Sequence, residues 1–269
     1  MGKLSNIINA MFKYAIHNRL IIHNPCNGVS LPKTQTKEKR VLSVEEQKEI
    51  TEHAKGRIYE NLIAVSLGTG LRMGEALALT WKDVDFAKRE ISITKTLVSV
   101  KDKESGKNVF KFQTPKTKNS TRIVPMQESV FKALKAQKVK LMEMQLQSSD
   151  WKRLEGFEDL IFVTATGKPV FRGSYVACLT WIENSINKSR QEYAKKHKLP
   201  YEPIPHFYPH AFRHTFATRC FEAGIEAKVV PGYLGHYSIA ITLDLYTHVS
   251  DDKAHTEMEK LQNLYQNIA

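Results

Sequence analysis

Ile91-Ser92-Ile93-Thr94-Lys95-Thr96-Leu97, then Val109-Phe110-Lys111-Phe112, then Arg122-Ile123-Val124, decide the fold class. These runs are rich in β-branched and aromatic residues and are bounded by polar turn residues, so each reads as a short strand. Lys101 to Asn108 is a polar stretch that fits the tip of a hairpin. The chain around the strands reads as helix. Ser43-Val44-Glu45-Glu46 is a capping box that starts one. Residues 59–67 read as a buried helix ended near Gly68 and Gly70, and residues 72–79 as a short one. Long helices are expected at 127–147 and 174–197. Pro209 is placed to open another that stops at Gly224, short helices are expected within 226–246, and a last helix is expected over 253–267. The expected class is α+β, mostly helical, with a small three-stranded antiparallel sheet at one edge.

The N-terminal part reads differently. Residues 4–22 place Leu4, Ile7, Ile8, Met11, Ala15 and Ile16 on one helical stripe, with Asn24-Pro25 expected to end the helix. Leu31 to Arg40 holds Pro32, three lysines and few apolar residues. One helix and a tail cannot form a core. Residues 1–32 are therefore expected to be the end of a helical domain whose beginning is absent, 33–41 a linker, and 42–269 the main domain.

Composition narrows the function. The 269 residues carry 40 Lys+Arg against 28 Asp+Glu, a formal charge of +12. Such an excess fits a polyanion binder, because each neutralised phosphate releases counterions; it fits equally a soluble protein with a solvated lysine surface. No apolar run of about 18 residues occurs, so no membrane-spanning helix is expected, and no Lys-rich amphipathic terminal helix suggests a membrane surface. Cys26, Cys178 and Cys220 are scattered, which fits a reducing compartment and neither a disulfide framework nor a CxxC zinc site.

Five stretches could carry chemistry. In Gly70-Leu71-Arg72-Met73-Gly74-Glu75, Arg72 starts a helix after a glycine turn and Glu75 lies one turn on, able to hold the guanidinium. The same letters suit a helix C-cap followed by a surface ion pair. Thr114-Pro115-Lys116-Thr117-Lys118-Asn119-Ser120-Thr121-Arg122 forms a turn whose lysines could reach a phosphate, or a solvated loop. In Pro209-His210-Ala211-Phe212-Arg213-His214, His210 and Arg213 share a helix face. His210 and His214 have metal-ligand spacing, yet Ala211 stands where a zinc-protease pattern needs Glu. Finally Tyr233-Leu234-Gly235-His236 precedes Leu243-Asp244-Leu245-Tyr246, where Tyr246 also suits plain core packing.

The order of these elements is specific. Arg72, a hairpin Lys116, His210-x-x-Arg213, Leu-Gly-His236, and Tyr246 ten residues later resemble the tyrosine recombinase (phage integrase) family over residues 42–252. Met11 to Pro32 is similar to the last core-binding helix of integrases from phages and conjugative elements. The resemblance implies site-specific recombination of double-stranded DNA at attachment sites, integrating or excising a mobile element, with neither metal nor other cofactor. It implies Tyr246 as nucleophile, leaving a 3′-phosphotyrosyl link. Arg72, Arg213 and His236 would grip the phosphate oxygens. Lys116, rather than Lys118, would protonate the leaving 5′-oxygen. His210 would act on the tyrosine proton, and Glu75 would brace the site. Lys118, Arg122 and His214 would contact DNA. A tetramer on DNA, joined by the C-terminal helix, and DNA-bending factors from host or element are implied as partners, with no membrane. The implied location is the bacterial cytoplasm, at the nucleoid. A non-catalytic DNA-binding remnant and a topoisomerase-IB-like nicking activity are the competing expectations.

One departure stands out. Pro231-Gly232 occupies a place where the family usually carries helix-forming residues. Proline removes a donor and glycine loosens the backbone, so a destabilised turn and a looser His236 are expected.

Overall fold

The computed structural model describes residues 2–30, 39–114 and 121–235. The chain divides into two compact units, Met1–Glu38 and Lys39–Ala269.

In the first unit, α1 (Gly2–His17) ends well before Asn24-Pro25. Arg19 adopts a left-handed conformation, φ 55°, and Leu20 N–H returns to the Ala15 carbonyl at 2.9 Å. This cap ends the helix several residues earlier than the proline would. The following turn folds back, with Asn24 Nδ2 donating to Asn9 Oδ1 at 2.7 Å. Leu4, Ile7, Met11 and Tyr14 are exposed along α1.

The second unit begins on the expected capping box. Glu46 N–H donates to Ser43 Oγ at 3.1 Å, and Ser43 N–H to Glu46 Oε2 at 2.8 Å, opening α2 (Val44–Ala54). Next come α3 (Glu60–Thr69) and α4 (Met73–Ala78). The strands follow as β1 (Val84–Asp85), β2 (Glu90–Ile93), β3 (Thr96–Lys101), β4 (Asn108–Gln113) and β5 (Arg122–Pro125). The remaining helices are α5 (Glu128–Gln147), α6 (Arg172–His197), α7 (Pro209–Glu222) and α8 (Val230–Leu234). Helix α3 is buried nearly all round and packs on both α5 and α7. Leu62, Ile63 and Val65 lie in a core shared with Leu134, Tyr175, Ile182, Ile91 and Phe212.

A three-stranded antiparallel sheet is present as expected, but its strands are not the three expected. The single strand expected over 91–97 is two strands in two sheets. β2 lies between β1 and β5 in an antiparallel three-stranded sheet, with Ile91 opposite Val124 and Ile93 opposite Arg122. Among the described residues, β3 and β4 pair only with each other. The break falls at Thr94-Lys95, and a tertiary contact holds it. Lys95 Nζ reaches Asp83 Oδ2 at 2.6 Å and Thr80 Oγ1 at 3.1 Å, pinning the chain to the turn before β1. Beyond the break, β3 lies against α4. A side chain at Gly74 would collide with Thr96 Oγ1, so glycine permits this approach.

Candidate active site

Arg72 and Glu75 come together first. Arg72 N–H donates to Glu75 Oε2 at 2.9 Å and Arg72 Nη1 to Glu75 Oε1 at 2.8 Å. The arginine thus enters α4 with its guanidinium already oriented. Gly70 makes the preceding turn possible. It sits at φ +62°, and an added Cβ would lie 2.6 Å from Phe216 Cδ1 and 2.9 Å from Leu234 Cδ2. The turn therefore packs directly on α7 and α8.

Helix α7 supplies Arg213, only 4% exposed. Its Nη1 donates to the Gly70 carbonyl at 3.0 Å and its Nη2 to the Leu234 carbonyl at 2.7 Å. Arg72 Nη2 donates to the next carbonyl, that of Gly235, at 3.0 Å. Arg122 Nε takes the carbonyl before, that of Tyr233, at 2.6 Å. Three successive carbonyls at the C-terminal end of α8 each meet a different guanidinium. A helix end leaves carbonyls without intrahelical partners and carries partial negative charge, so cations are well placed there. The chain leaving Gly235, toward His236, starts from a fixed point.

The cluster is electropositive. Three guanidiniums surround one carboxylate. Burial would raise the Glu75 carboxyl, but the hydrogen bonds and charge of Arg122, then Arg72, outweigh it and hold the group below its ordinary value. Burial first, then the Arg72 guanidinium, push Arg213 down to about 9, which still leaves it charged at neutral pH. Arg72 is the open member, its side chain 38% exposed. A guanidinium is a planar fork that binds two phosphate oxygens.

His210 lies one turn before Arg213 on α7. Partial burial, then the Arg213, Arg172 and Arg72 guanidiniums, hold its pKa below the ordinary value, so the imidazole is neutral and can accept a proton. His214 goes further, to about 4, through burial first and then His210, Lys39 and Arg213. The two rings lie 6.4 Å apart, centre to centre.

Pro231 does not act as expected. It occupies the first turn of α8, where a missing N–H leaves no intrahelical bond unmade. Gly235 N–H closes the helix on the Pro231 carbonyl from a left-handed conformation, φ 63°. Proline therefore opens this helix rather than weakening its middle.

Among the candidates, Arg72, Glu75, Arg122, Arg213, His210 and His214 are placed; Arg72 and Arg122 bond Glu75 directly, and Arg213 joins them through the neighbouring carbonyl of α8. Lys116, Lys118, His236 and Tyr246 lie outside the described residues. Arg122, a DNA-contact candidate by sequence, turns inward: its Nη2 lies 2.7 Å from Glu75 Oε2, with the two side chains 5% and 6% exposed. Its inward direction follows from the strand period, since Val124 is buried and Ile123 exposed. Its partner 47 positions away has no local signal.

Residues 40–253 match the phage integrase family, and the chain belongs to it. It is 33% identical over 272 residues to a XerC-like tyrosine recombinase of Caldanaerobacter subterraneus subsp. tengcongensis, covering 97% of this chain and 65% of the relative. It is 30% identical over 263 residues to the transposase from transposon Tn916 of Enterococcus faecalis, covering 94% of this chain and 59% of that protein. The chain thus spans about three-fifths of the length of these curated relatives. Its fold is similar to that of the Tn1549 transposon integrase, solved in complex with a circular intermediate DNA. The TM-score there is 0.75 at 27% identity, covering 97% of this chain and 78% of the other. Among the described residues, no helix is long and apolar enough to cross a membrane.

Proposed function

We propose that the chain is the catalytic portion of a site-specific recombinase that integrates or excises a mobile element by cutting and rejoining double-stranded DNA. The observation that carries this reading is the convergence of Arg72 and Arg213 on the carbonyls of Gly235 and Leu234, directly before His236.

In this reading the Tyr246 oxygen attacks the scissile phosphorus. A P–O bond to the tyrosine forms, the bond to the 5′-oxygen breaks, and a 3′-phosphotyrosyl link remains. Lys116 gives its proton to the departing 5′-oxygen, and neutral His210 takes the proton from the phenol. Arg72, Arg213 and His236 hold the non-bridging oxygens. Positioning and charge stabilisation supply most of the acceleration in phosphoryl transfer. A free phenol, with a pKa of about 10, needs such a field or a base to react at neutral pH. The guanidiniums provide the charge, so the reading calls for no metal. The covalent link conserves the bond energy, and religation to another strand needs no ATP.

Residues 1–32 fit the end of a core-binding domain, 33–41 a linker, and 42–269 the catalytic domain. The exposed stripe of α1 supports the first assignment. Lys118 and His214 are DNA-contact candidates. In this reading assembly is a tetramer on DNA in which the helix expected from sequence over 253–267 of one copy docks on the next. A cleft of about 950 Å³ between α2, α3 and α7, lined by Val44, Leu67, Met126, Phe216 and Ile225, suits an apolar helix face such as Met258, Leu261 and Leu264. DNA-bending factors would complete the complex, in the cytoplasm.

A nicked duplex that traps cleavage tests the reading. The expected result is a protein–DNA adduct that survives EDTA and disappears with Tyr246→Phe. Binding without adduct would indicate a non-catalytic DNA-binding protein.

A further inference from the structure

We propose that Arg122 is a positioning residue that ties together the three chain segments supplying Arg72, Lys116 and His236. The inference rests on the recombinase reading above.

One guanidinium makes the tie. Nη1 and Nη2 of Arg122 grip the two oxygens of Glu75 at 3.2 and 2.7 Å. Glu75 is also the partner of the Arg72 backbone and side chain. On its other edge, Nε of Arg122 donates to the Tyr233 carbonyl at 2.6 Å, three residues before His236. Arg122 opens β5, six residues after Lys116, and sits in register opposite Ile93 of β2. The side chain is 5% exposed and engages an equally buried carboxylate. Its fork is directed into the protein, so its effect on the phosphate passes through Glu75, the α8 carbonyl and its own strand. A lysine there would keep the charge but not the planar fork that reaches both partners.

The test uses the full chain with Arg122→Lys and Arg122→Gln, beside wild type and Tyr246→Phe. Three quantities are measured: duplex affinity, melting temperature, and single-turnover adduct rate at saturating nicked duplex. A second substrate carries sulfur at the bridging 5′ position, a leaving group that needs no protonation. The expected result is affinity within about threefold of wild type and an adduct rate lowered by about tenfold or more, a loss in the bound state rather than in binding. The deficit shrinks on the sulfur substrate, because a displaced Lys116 no longer matters there. Arg122→Lys keeps a cation against Glu75, and it decides the case if Arg122→Gln does not fold. Adduct rates within about twofold of wild type in folded Arg122→Lys would overturn the inference, as would a loss confined to affinity, the sign of a direct DNA contact. A deficit equal on oxygen and sulfur would remove the link to Lys116. Absence of adduct with wild type would instead bring down the recombinase reading itself.

Discussion

Arg213 donates to the Leu234 carbonyl at 2.7 Å, fastening the end of α8 to the middle of α7. Helix α8 has five residues, too few to hold its shape alone. Its position is set from outside, by Arg213 and by the arginines on the neighbouring carbonyls. The residues that would grip a phosphate therefore also build the platform from which His236 departs.

Arg213→Ala should then cost stability as well as any activity. Two buried carbonyls lose charged donors, and hydrogen bonds to charged groups contribute about 1.5–3 kcal/mol each. A drop of about 3 kcal/mol in urea unfolding is expected. A change under about 0.5 kcal/mol, the usual range of surface substitutions, would show that α8 is held without Arg213.

Glu75→Gln probes the same cluster from its negative centre. It leaves Arg122 buried without its counter-charge, and breaking one partner of a buried pair costs about 3–5 kcal/mol. A lower melting temperature is expected. The Glu75 carboxyl is held below its ordinary value. Its contribution is thus complete above the unfolded carboxyl's pKa and lost as pH falls through the folded one. The variant's stability should accordingly fall less steeply with acid than that of wild type as pH drops below about 4.5.

His214 makes a separate prediction, on the acid side of neutrality. Its folded pKa of about 4 lies below the unfolded value near 6.5. Between those values the unfolded chain binds a proton that the folded protein refuses. Stability should fall as pH drops through that window, and His214→Asn should flatten the slope. Melting curves at half-unit steps from pH 7.5 to 4.5 measure it; parallel curves for the two proteins would contradict the assignment.

Pro231→Gln brings no gain. Proline already suits the first turn of α8, and it is buried there. The expected outcome is an unchanged or slightly lower melting temperature and no rise in adduct formation, measured on the nicked duplex. A clear increase in both would restore the view that proline weakens this helix.

Local relationships were legible in the chain. Arg72 with Glu75, His210 with Arg213, and Ser43 with Glu46 are all three apart, so helix geometry alone brings them together. Relationships across the fold were not. The strand break at Thr94-Lys95 depends on Asp83, twelve positions from Lys95. The inward turn of Arg122 depends on Glu75, 47 positions away. Strand and helix patterns record which face is buried, and they do not record which distant partner waits there. The family order of motifs carried Lys116, His236 and Tyr246, which no local pattern singles out.

The bond between Tyr246 and the cleaved strand leaves its mark on both sides of the cut. Wild-type protein trapped on a nicked duplex should be digested and the nucleotide-bearing peptide sequenced by mass spectrometry, while the other end of the cut strand is offered to polynucleotide kinase. The account predicts nucleotide mass on the phenol of Tyr246 and a free 5′-hydroxyl that accepts phosphate. Attachment through another residue, or a 5′-phosphate at the cut, would contradict it.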